Sequence, residues 1–345
     1  MKKLLVSVLV LSIAIAHTSA RADDAPRPVP LLIFDTDMGN DIDDLMALAL
    51  IHSLEARGLC RLIAVTSTKD HPLSVPLIDA ANTFYGNHVP LGAVRNGVTR
   101  EEGKYLGLVR AMDNGRVRYP HTIKSGADVP DAVRVLRRAL AESPDGSVIV
   151  VQVGFSTNLA RLLDTQGDDV SPLNGVDLVK AKVKLLSVMA GYFKTVSGDE
   201  KPHREYNVVE DIPSAKKLVE KSPVPIVFSG YEIGQALGYP SVSILRDYNY
   251  VPHHIVKEGY ILYSPPPHDR PTWDLTSVLY AVLPEAGYFG VSEPHRVTVT
   301  DEGITAFTPD PNGLHRFLTV SHEQRIRVLE AFVHLCSQPP VRKNH

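Results

Sequence analysis

Between Leu31 and Leu50 the chain reads LLIFDTDMGNDIDDLMALAL, which sets five aspartates (Asp35, Asp37, Asp41, Asp43 and Asp44) between a short apolar run and a stretch with helical apolar spacing. So many carboxylates in one turn repel one another and raise their own pKa values unless a positive charge neutralises them. Oxygen donors without a neighbouring Cys or His suit Ca²⁺ or Mg²⁺ better than zinc. A bound divalent cation is therefore expected. A single Asp before a helix is usually a cap that accepts orphan N–H groups and complements the helix dipole, and Asp41, Asp43 or Asp44 taken alone reads that way. The set does not, because a cap needs one carboxylate and Asp35 and Asp37 precede the turn.

These acids need a scaffold, and the flanking sequence supplies one. Leu31 to Phe34 is the apolar run of a parallel strand covered on both faces. Further strand candidates lie at 61–66, 89–94, 147–153, 183–189 and 224–228, with helical patterns at 44–57, 74–85, 130–142, 157–164 and 214–220 between them. Strands alternating with helices at this spacing predict an α/β fold, a mostly parallel central sheet flanked by helices in the manner of a Rossmann-like open sheet. Ligands bind such sheets outside the carboxyl ends of the strands, where the aspartates fall and where Gly39 lets the backbone turn tightly. The polar loops KDHP, GFSTN and GYFKTVSGDEKPHREYN leave other strands at that same edge. After about Tyr231 the pattern is less regular, with a Pro-rich stretch SPPPHDRP and a final helix near 323–335.

The first residues carry a Lys pair, an apolar stretch from Leu4 to Ala16 and an A-x-A site at Ala20, Arg21 and Ala22. That is the layout of a signal peptide over 1–22, too short in its apolar core for a membrane span. A Pro-rich linker at 23–30 and a single domain at 31–340 follow, and the mature protein is expected to be periplasmic or secreted, with no membrane attachment. A net charge of −3 offers no broad basic surface for a phosphate backbone, so nucleic acid is excluded as a partner and a small neutral substrate fits better. Cys60 and Cys336, distant in sequence, leave open whether one disulfide forms in an exported protein.

Four segments in order carry a family resemblance. DTDMGNDIDDLMALAL resembles the N-terminal signature of the inosine-uridine-preferring nucleoside hydrolases, a DTDPG loop followed by a DDA-type helix start. Met38 stands where proline is common, and two extra residues separate Gly39 from Asp43 and Asp44, so the alignment of Asp41 against Asp43 stays open. Val153 to Ala160 (VGFSTNLA) is similar to the family's VGPLTN turn, whose residue before the glycine offers its carbonyl to calcium. Gly198, Asp199, Pro202, Glu205, Tyr206 and Asn207 resemble the sugar-binding loop, with Asp199 where Asn is usual. Trp273 to Ala281 resembles the C-terminal HDP segment, with Trp273 replacing the histidine. The dipeptide His268-Asp269 copies that HDP motif by letter, but Arg270 and Pro271 follow it in a loop, whereas Asp274 precedes an apolar helical pattern. Asp274 is taken as the counterpart and His268-Asp269 as a surface loop.

The resemblance implies hydrolysis of the N-glycosidic bond of ribonucleosides to free base and ribose. It implies Ca²⁺ held by Asp37, Asp44, Asp274 and the carbonyl of Val153, with Asp37 as general base. Asp43 or Asp41, together with Asp199, Glu205 and Asn207, would hold the ribose hydroxyls, and Trp273 would stack against the base. A homodimer or homotetramer is implied by the same likeness. Read without it, Glu205 and Asn207 are polar loop residues, Val153 a strand end, Asn158 a cap or a turn-shaping residue, and His121, His203, His253 and His254 surface or structural groups. Two other readings compete. One is a catalytically weakened nucleoside- or ribose-binding protein of the same fold, motivated by Trp273 and Asp199. The other is a haloacid-dehalogenase-type phosphatase with Asp35 as nucleophile, which leaves the DIDD cluster and the REYN loop unexplained.

Overall fold

The computed structural model describes residues 29–196 and 203–341. The expected signal peptide, most of the linker, and Gly198, Asp199 and Pro202 lie outside the described residues. Ten strands form the main sheet: β1 (Leu31–Thr36), β2 (Arg61–Lys69), β3 (Leu91–Val98), β4 (Val148–Gln152), β5 (Val183–Met189), β6 (Ile226–Ser229), β7 (Gly290–Val291), β8 (His295–Val299), β9 (Thr305–Pro309) and β10 (His315–Thr319). Their order is β9-β8-β10-β6-β5-β4-β1-β2-β3, with β7 pairing on β10. From β6 to β3 every pairing is parallel, and the spatial order 6-5-4-1-2-3 is that of a doubly wound sheet. Its winding reverses between β1 and β4, so the crevice beyond their carboxyl ends is where a ligand belongs.

Helices cover both faces. They are α1 (Asp43–Ala56), α2 (Ser74–Phe84), α3 (Ala132–Ala141), α4 (Thr157–Asp164), α5 (Gly175–Lys182), α6 (Tyr206–Glu210), α7 (Ile212–Lys221), α8 (Tyr231–Gln235), α9 (Ser241–Arg246), α10 (Ile255–Tyr263), α11 (Asp274–Val282) and α12 (His322–Cys336). Alternate residues of β1 face opposite cores. Leu32 and Phe34 join the side built by α1, α2, α10, α11 and α12, while Ile33 joins the side built by α3, α4, α5 and α7. This double burial is why β1 reads as an unbroken apolar run. None of the described helices is long and apolar enough to cross a membrane. Both cysteines are buried free thiols, each directed at a carbonyl of α1: Cys60 at Ile51 and Cys336 at Met46.

Two departures from expectation have physical causes. β2 continues to Lys69 instead of ending at Thr66, because Thr66, Ser67, Thr68 and Lys69 are polar yet buried at the ligand edge. The region after Tyr231 is more regular than its composition suggests, since β8, β9 and β10 extend the sheet. β8 and β9 are partly solvent-exposed and polar, so a search for apolar runs passes over them.

At the crevice the backbone of β4 closes on the turn after β1. The amides of Val153 and Gly154 both donate to the carbonyl of Asp35, at 2.8 and 3.3 Å. A Cβ on Gly154 would lie 2.3 Å from Thr68 Oγ1 and 2.6 Å from the amide nitrogen of Asp37. Gly154→Ala is therefore expected to destabilise the fold by about 1–3 kcal/mol through overpacking. Urea unfolding checks this, and an unchanged midpoint would show that the approach is looser than described.

Candidate active site

A cavity of about 470 Å³ opens at the crevice and is lined by Asp37, Asp41, Val153, Glu205, Asn207, Trp273 and Asp274, with Asn40, Glu101, Tyr231, Tyr263 and Arg270 among the remaining walls. Its size suits a small molecule. Asp37 stands just beyond β1. Asn40 Nδ2 donates to its carboxylate at 2.6 Å, and Lys69 Nζ, buried behind, donates to Asn40 Oδ1 at 2.5 Å and to Glu101 at 3.1 Å. Asp43 and Asp44 open α1 and are fully buried. Asp44 accepts from the Thr36 hydroxyl. One oxygen of Asp43 accepts the backbone N–H groups of Trp273 and Asp274 at 2.8 and 3.2 Å, so it caps α11 from across the site.

Asp35 belongs to a different arrangement. It accepts from the Thr66 hydroxyl at 2.6 Å and from Asn158 Nδ2 at 2.8 Å, and Asn158 also donates to the carbonyl of Ser67. Asp35 therefore braces β1, β2 and α4 beneath the cavity. Asn158 shapes the turn through this bond and does not cap α4.

Asp41, Asp43 and Asp274 each offer a carboxylate oxygen, all within 4.8 Å of one another. Asp43 Oδ1, Asp44 Oδ2 and Asp274 Oδ2 are buried without a hydrogen-bond partner among the described residues. Burial raises Asp37 to about 7, helped by the Asp41 charge and opposed by the Asn40 bond and Lys69. Asp43, Asp44 and Asp274 are pushed well above the usual carboxylate range by burial first and by their neighbouring acids second. Unpartnered, mutually repelling oxygen donors with no sulfur or imidazole among them fit a hard divalent cation.

The other side of the cavity is anchored by α6. Glu205 caps this helix, accepting from the amides of Asn207 at 2.9 Å and Val208 at 3.1 Å, and also from Gly191 at 3.1 Å. Burial nonetheless raises it to about 7 against those three bonds. Asn207 Nδ2 donates to the carbonyls of Val153 at 2.7 Å and Met189 at 3.1 Å, tying the ends of β4 and β5 together. Glu205 and Asn207 are thus built into the backbone while still facing the cavity. Trp273 stacks on Tyr231 with centroids 5.6 Å apart, and its indole N–H donates to the Tyr231 carbonyl at 2.8 Å. Asp269, the rejected counterpart, is exposed and accepts from the Ser241 amide at 2.7 Å.

The sequence reading missed Asn40, Lys69, Tyr105, Tyr231, Tyr263 and Arg270. Lys69, the last residue of β2, opens the string KDHP and Arg270 falls in SPPPHDRP, both unusually polar or irregular, but nothing in either string shows which side chain turns inward. Tyr105 comes from a segment with no strand or helix signal. Its hydroxyl accepts from the Gly39 amide at 3.0 Å and donates to the Asp41 carbonyl, which fixes the aspartate loop from outside.

The model of the inosine-uridine preferring nucleoside hydrolase family matches residues 32–328. Among solved structures, an inosine-uridine preferring nucleoside hydrolase from Bacillus anthracis is similar at 17% identity and a TM-score of 0.66, covering 90% of this chain and 99% of that one. A plant nucleoside hydrolase is similar at 20% identity and 0.65, with 90% and 100% covered. An inosine-guanosine nucleoside hydrolase is similar at 18% identity and 0.66, with 89% and 98% covered. Among curated proteins none matches the sequence. With its doubly wound sheet and its acid-lined crevice, and with the family match running over nearly all the described residues, this chain belongs to the inosine-uridine preferring nucleoside hydrolase family, whose reaction is hydrolysis of the N-glycosidic bond of nucleosides.

Proposed function

We propose that the protein is a calcium-dependent ribonucleoside hydrolase that releases free base and ribose with Asp37 as general base. The observation that carries this reading is the meeting, at one cavity, of Asp37 and Asp41 from the loop before α1 with Asp274 from the start of α11, backed by buried Asp43 and Asp44, with oxygens of Asp43, Asp44 and Asp274 unpartnered among the described residues. Asp37, Asp44, Asp274 and the Val153 carbonyl would hold the ion, with Asp41 or Asp43 beside it. A bound Ca²⁺ supplies polarisation of a water molecule and an anchor for the ribose diol.

The residues themselves carry the remaining work. Asp37, oriented by Asn40, takes the proton of the attacking water. Charged and amide acceptors at Asp43, Glu205 and Asn207, with Asp199, hold the sugar hydroxyls. Their negative field favours the oxocarbenium charge that grows on the ring as the bond to the base breaks. Tyr231, Tyr263 and Trp273 line the side of the cavity where a planar base would lie. The leader-like N-terminus supports export to the periplasm or the exterior, and assembly into a homodimer or homotetramer belongs to the same proposal. If ribose or nucleoside binds without release of product, the protein is a binding relative of the hydrolases.

Incubation with a panel of ribonucleosides, read as reducing sugar, tests the reading. Asp37→Asn should lose about 10²- to 10⁴-fold in kcat, the usual worth of a positioned general base. A variant as active as wild type removes Asp37 from the chemistry.

The ion can be tested through stability. Asp35, Asp37 and Glu205 titrate at about 7 in the metal-free fold, so over the interval below this the fold holds protons that the unfolded chain has released. Their stabilising contribution is complete below about pH 4 and is lost as the pH rises through about 7. In chelator, the melting temperature should therefore fall between about pH 5 and about pH 8, and added calcium should restore it at the upper end. A melting temperature that climbs over this interval, or that ignores calcium, contradicts the assignment.

A further inference from the structure

When the C1′–N bond breaks, its electron pair leaves with the base, and some group on the aromatic side of the cavity must meet that charge. Trp273 cannot supply a proton, because its single polar hydrogen is committed to the Tyr231 carbonyl at 2.8 Å. Two cations stand on that wall, exposed Lys104, whose Nζ lies 4.9 Å from the Tyr263 ring centroid, and the more buried Arg270. The latter lies on a short bridge in which Arg270 and Pro271 pair with Tyr239 and Gly238, and its own amide donates to the Tyr260 hydroxyl at 2.9 Å, which fixes the backbone. The guanidinium carbon is 4.7 Å from the centroid of Tyr263 and 4.9 Å from that of Trp273. One terminal nitrogen donates to Asp41 at 2.7 Å, while Nε is buried with no hydrogen-bond partner. Lys104, also on the rim, donates to the Tyr263 carbonyl at 3.2 Å.

A guanidinium carries five N–H donors in a fixed fork and stays protonated at any working pH. Held by Asp41 and flanked by two rings, it keeps donors to spare beside the surface on which a planar base would stack. Resting on the hydrolase reading above, we propose that Arg270 is the catalytic residue of the leaving group: its guanidinium hydrogen-bonds acceptor atoms of the departing base and neutralises the electron pair the base receives. Water oxygen forms the new bond to C1′, its proton passes to Asp37, the C1′–N pair goes to the base, and the base takes a proton from solvent after it leaves. Asp41 is the positioning residue that aims the fork. Substrates follow from this chemistry: ribonucleosides whose bases present ring-nitrogen or carbonyl acceptors along one edge.

The test compares two substrates in each protein sample, inosine and p-nitrophenyl β-D-ribofuranoside, whose nitrophenolate departs without help. Arg270→Met should lower kcat on inosine by about 10²- to 10³-fold more than it lowers kcat on the aryl riboside, the usual cost of removing one preorganised donor to a developing anion. Arg270→Lys, which keeps the charge and loses the fork, should give a ratio of the two activities between those of Arg270→Met and wild type. Because the readout is a ratio taken within one sample, partial unfolding of a variant does not move it. Equal losses on both substrates would make Arg270 a structural counter-ion of Asp41 and overturn the proposal, as would no loss on either. Wild-type protein inert toward both substrates would instead defeat the hydrolase reading, and the role of Arg270 with it.

Discussion

Crowded negative charge is the constraint around which this molecule is arranged. At an effective dielectric of about 20, two carboxylates whose oxygens lie 4.8 Å apart repel by roughly 3 kcal/mol, and Asp41, Asp43 and Asp274 form three such pairs. That sum approaches the entire stability of an ordinary domain. The fold offsets part of it with the α11 amides on Asp43 and Arg270 on Asp41, and it supplies the neighbouring acids with the Thr36 hydroxyl on Asp44 and with Asn40, backed by buried Lys69, on Asp37. The oxygens left unpartnered on Asp43, Asp44 and Asp274 mark where a metal's charge would complete the balance. Without it the acids stay protonated to unusually high pH, which the raised pKa values express.

Topology explains how distant residues share this burden. Strand order reverses between β1 and β4, so the turn after β1 and the end of β4 face one crevice, and α1 and α11 pack side by side over the same core. Asp43 joins the two helix starts by capping α11 while belonging to α1, which places Asp274 opposite the aspartate loop. The glycine after β4 lets the two strand ends meet. Across the cavity, Glu205 and Asn207 lock α6 onto the ends of β4 and β5, and β4 in turn holds the turn after β1 through the Asp35 carbonyl, so the two walls of the cavity are tied together.

Much of this was legible in the sequence, and the limits of that reading are physical. β5 begins and ends where its apolar run does, β1 begins with its run and continues two residues past it to Thr36, and the helix over 157–164 matches its pattern, because in these segments burial and period agree. The aspartate loop was recognisable because its charges have no purpose in a folded core unless something neutralises them. Asp35 reads in the sequence as one of a set, yet it braces the sheet below the cavity: it lies on the Ile33 face of β1 against Thr66 and Asn158, whereas Asp37 falls beyond the last residue of the strand in the turn that enters the cavity. Arg270 escaped notice for the opposite reason. It follows a Pro-rich surface stretch, and its inward turn depends on the Tyr260 hydroxyl and on an acid far earlier in the chain. The antiparallel pair β8 and β9 carries no apolar run because it is only partly buried, and β10, mostly buried and parallel to β6, has its short apolar run broken by Arg316 and Thr319.

The central claim, that these converging acids hold one alkaline-earth ion, is tested most directly by calorimetric titration of Ca²⁺ into chelator-treated protein near neutral pH. The account predicts uptake of a single ion per chain, weakened by about tenfold or more in Asp274→Asn and in Asp44→Asn. Absence of uptake, or an affinity that both substitutions leave unchanged, would contradict it.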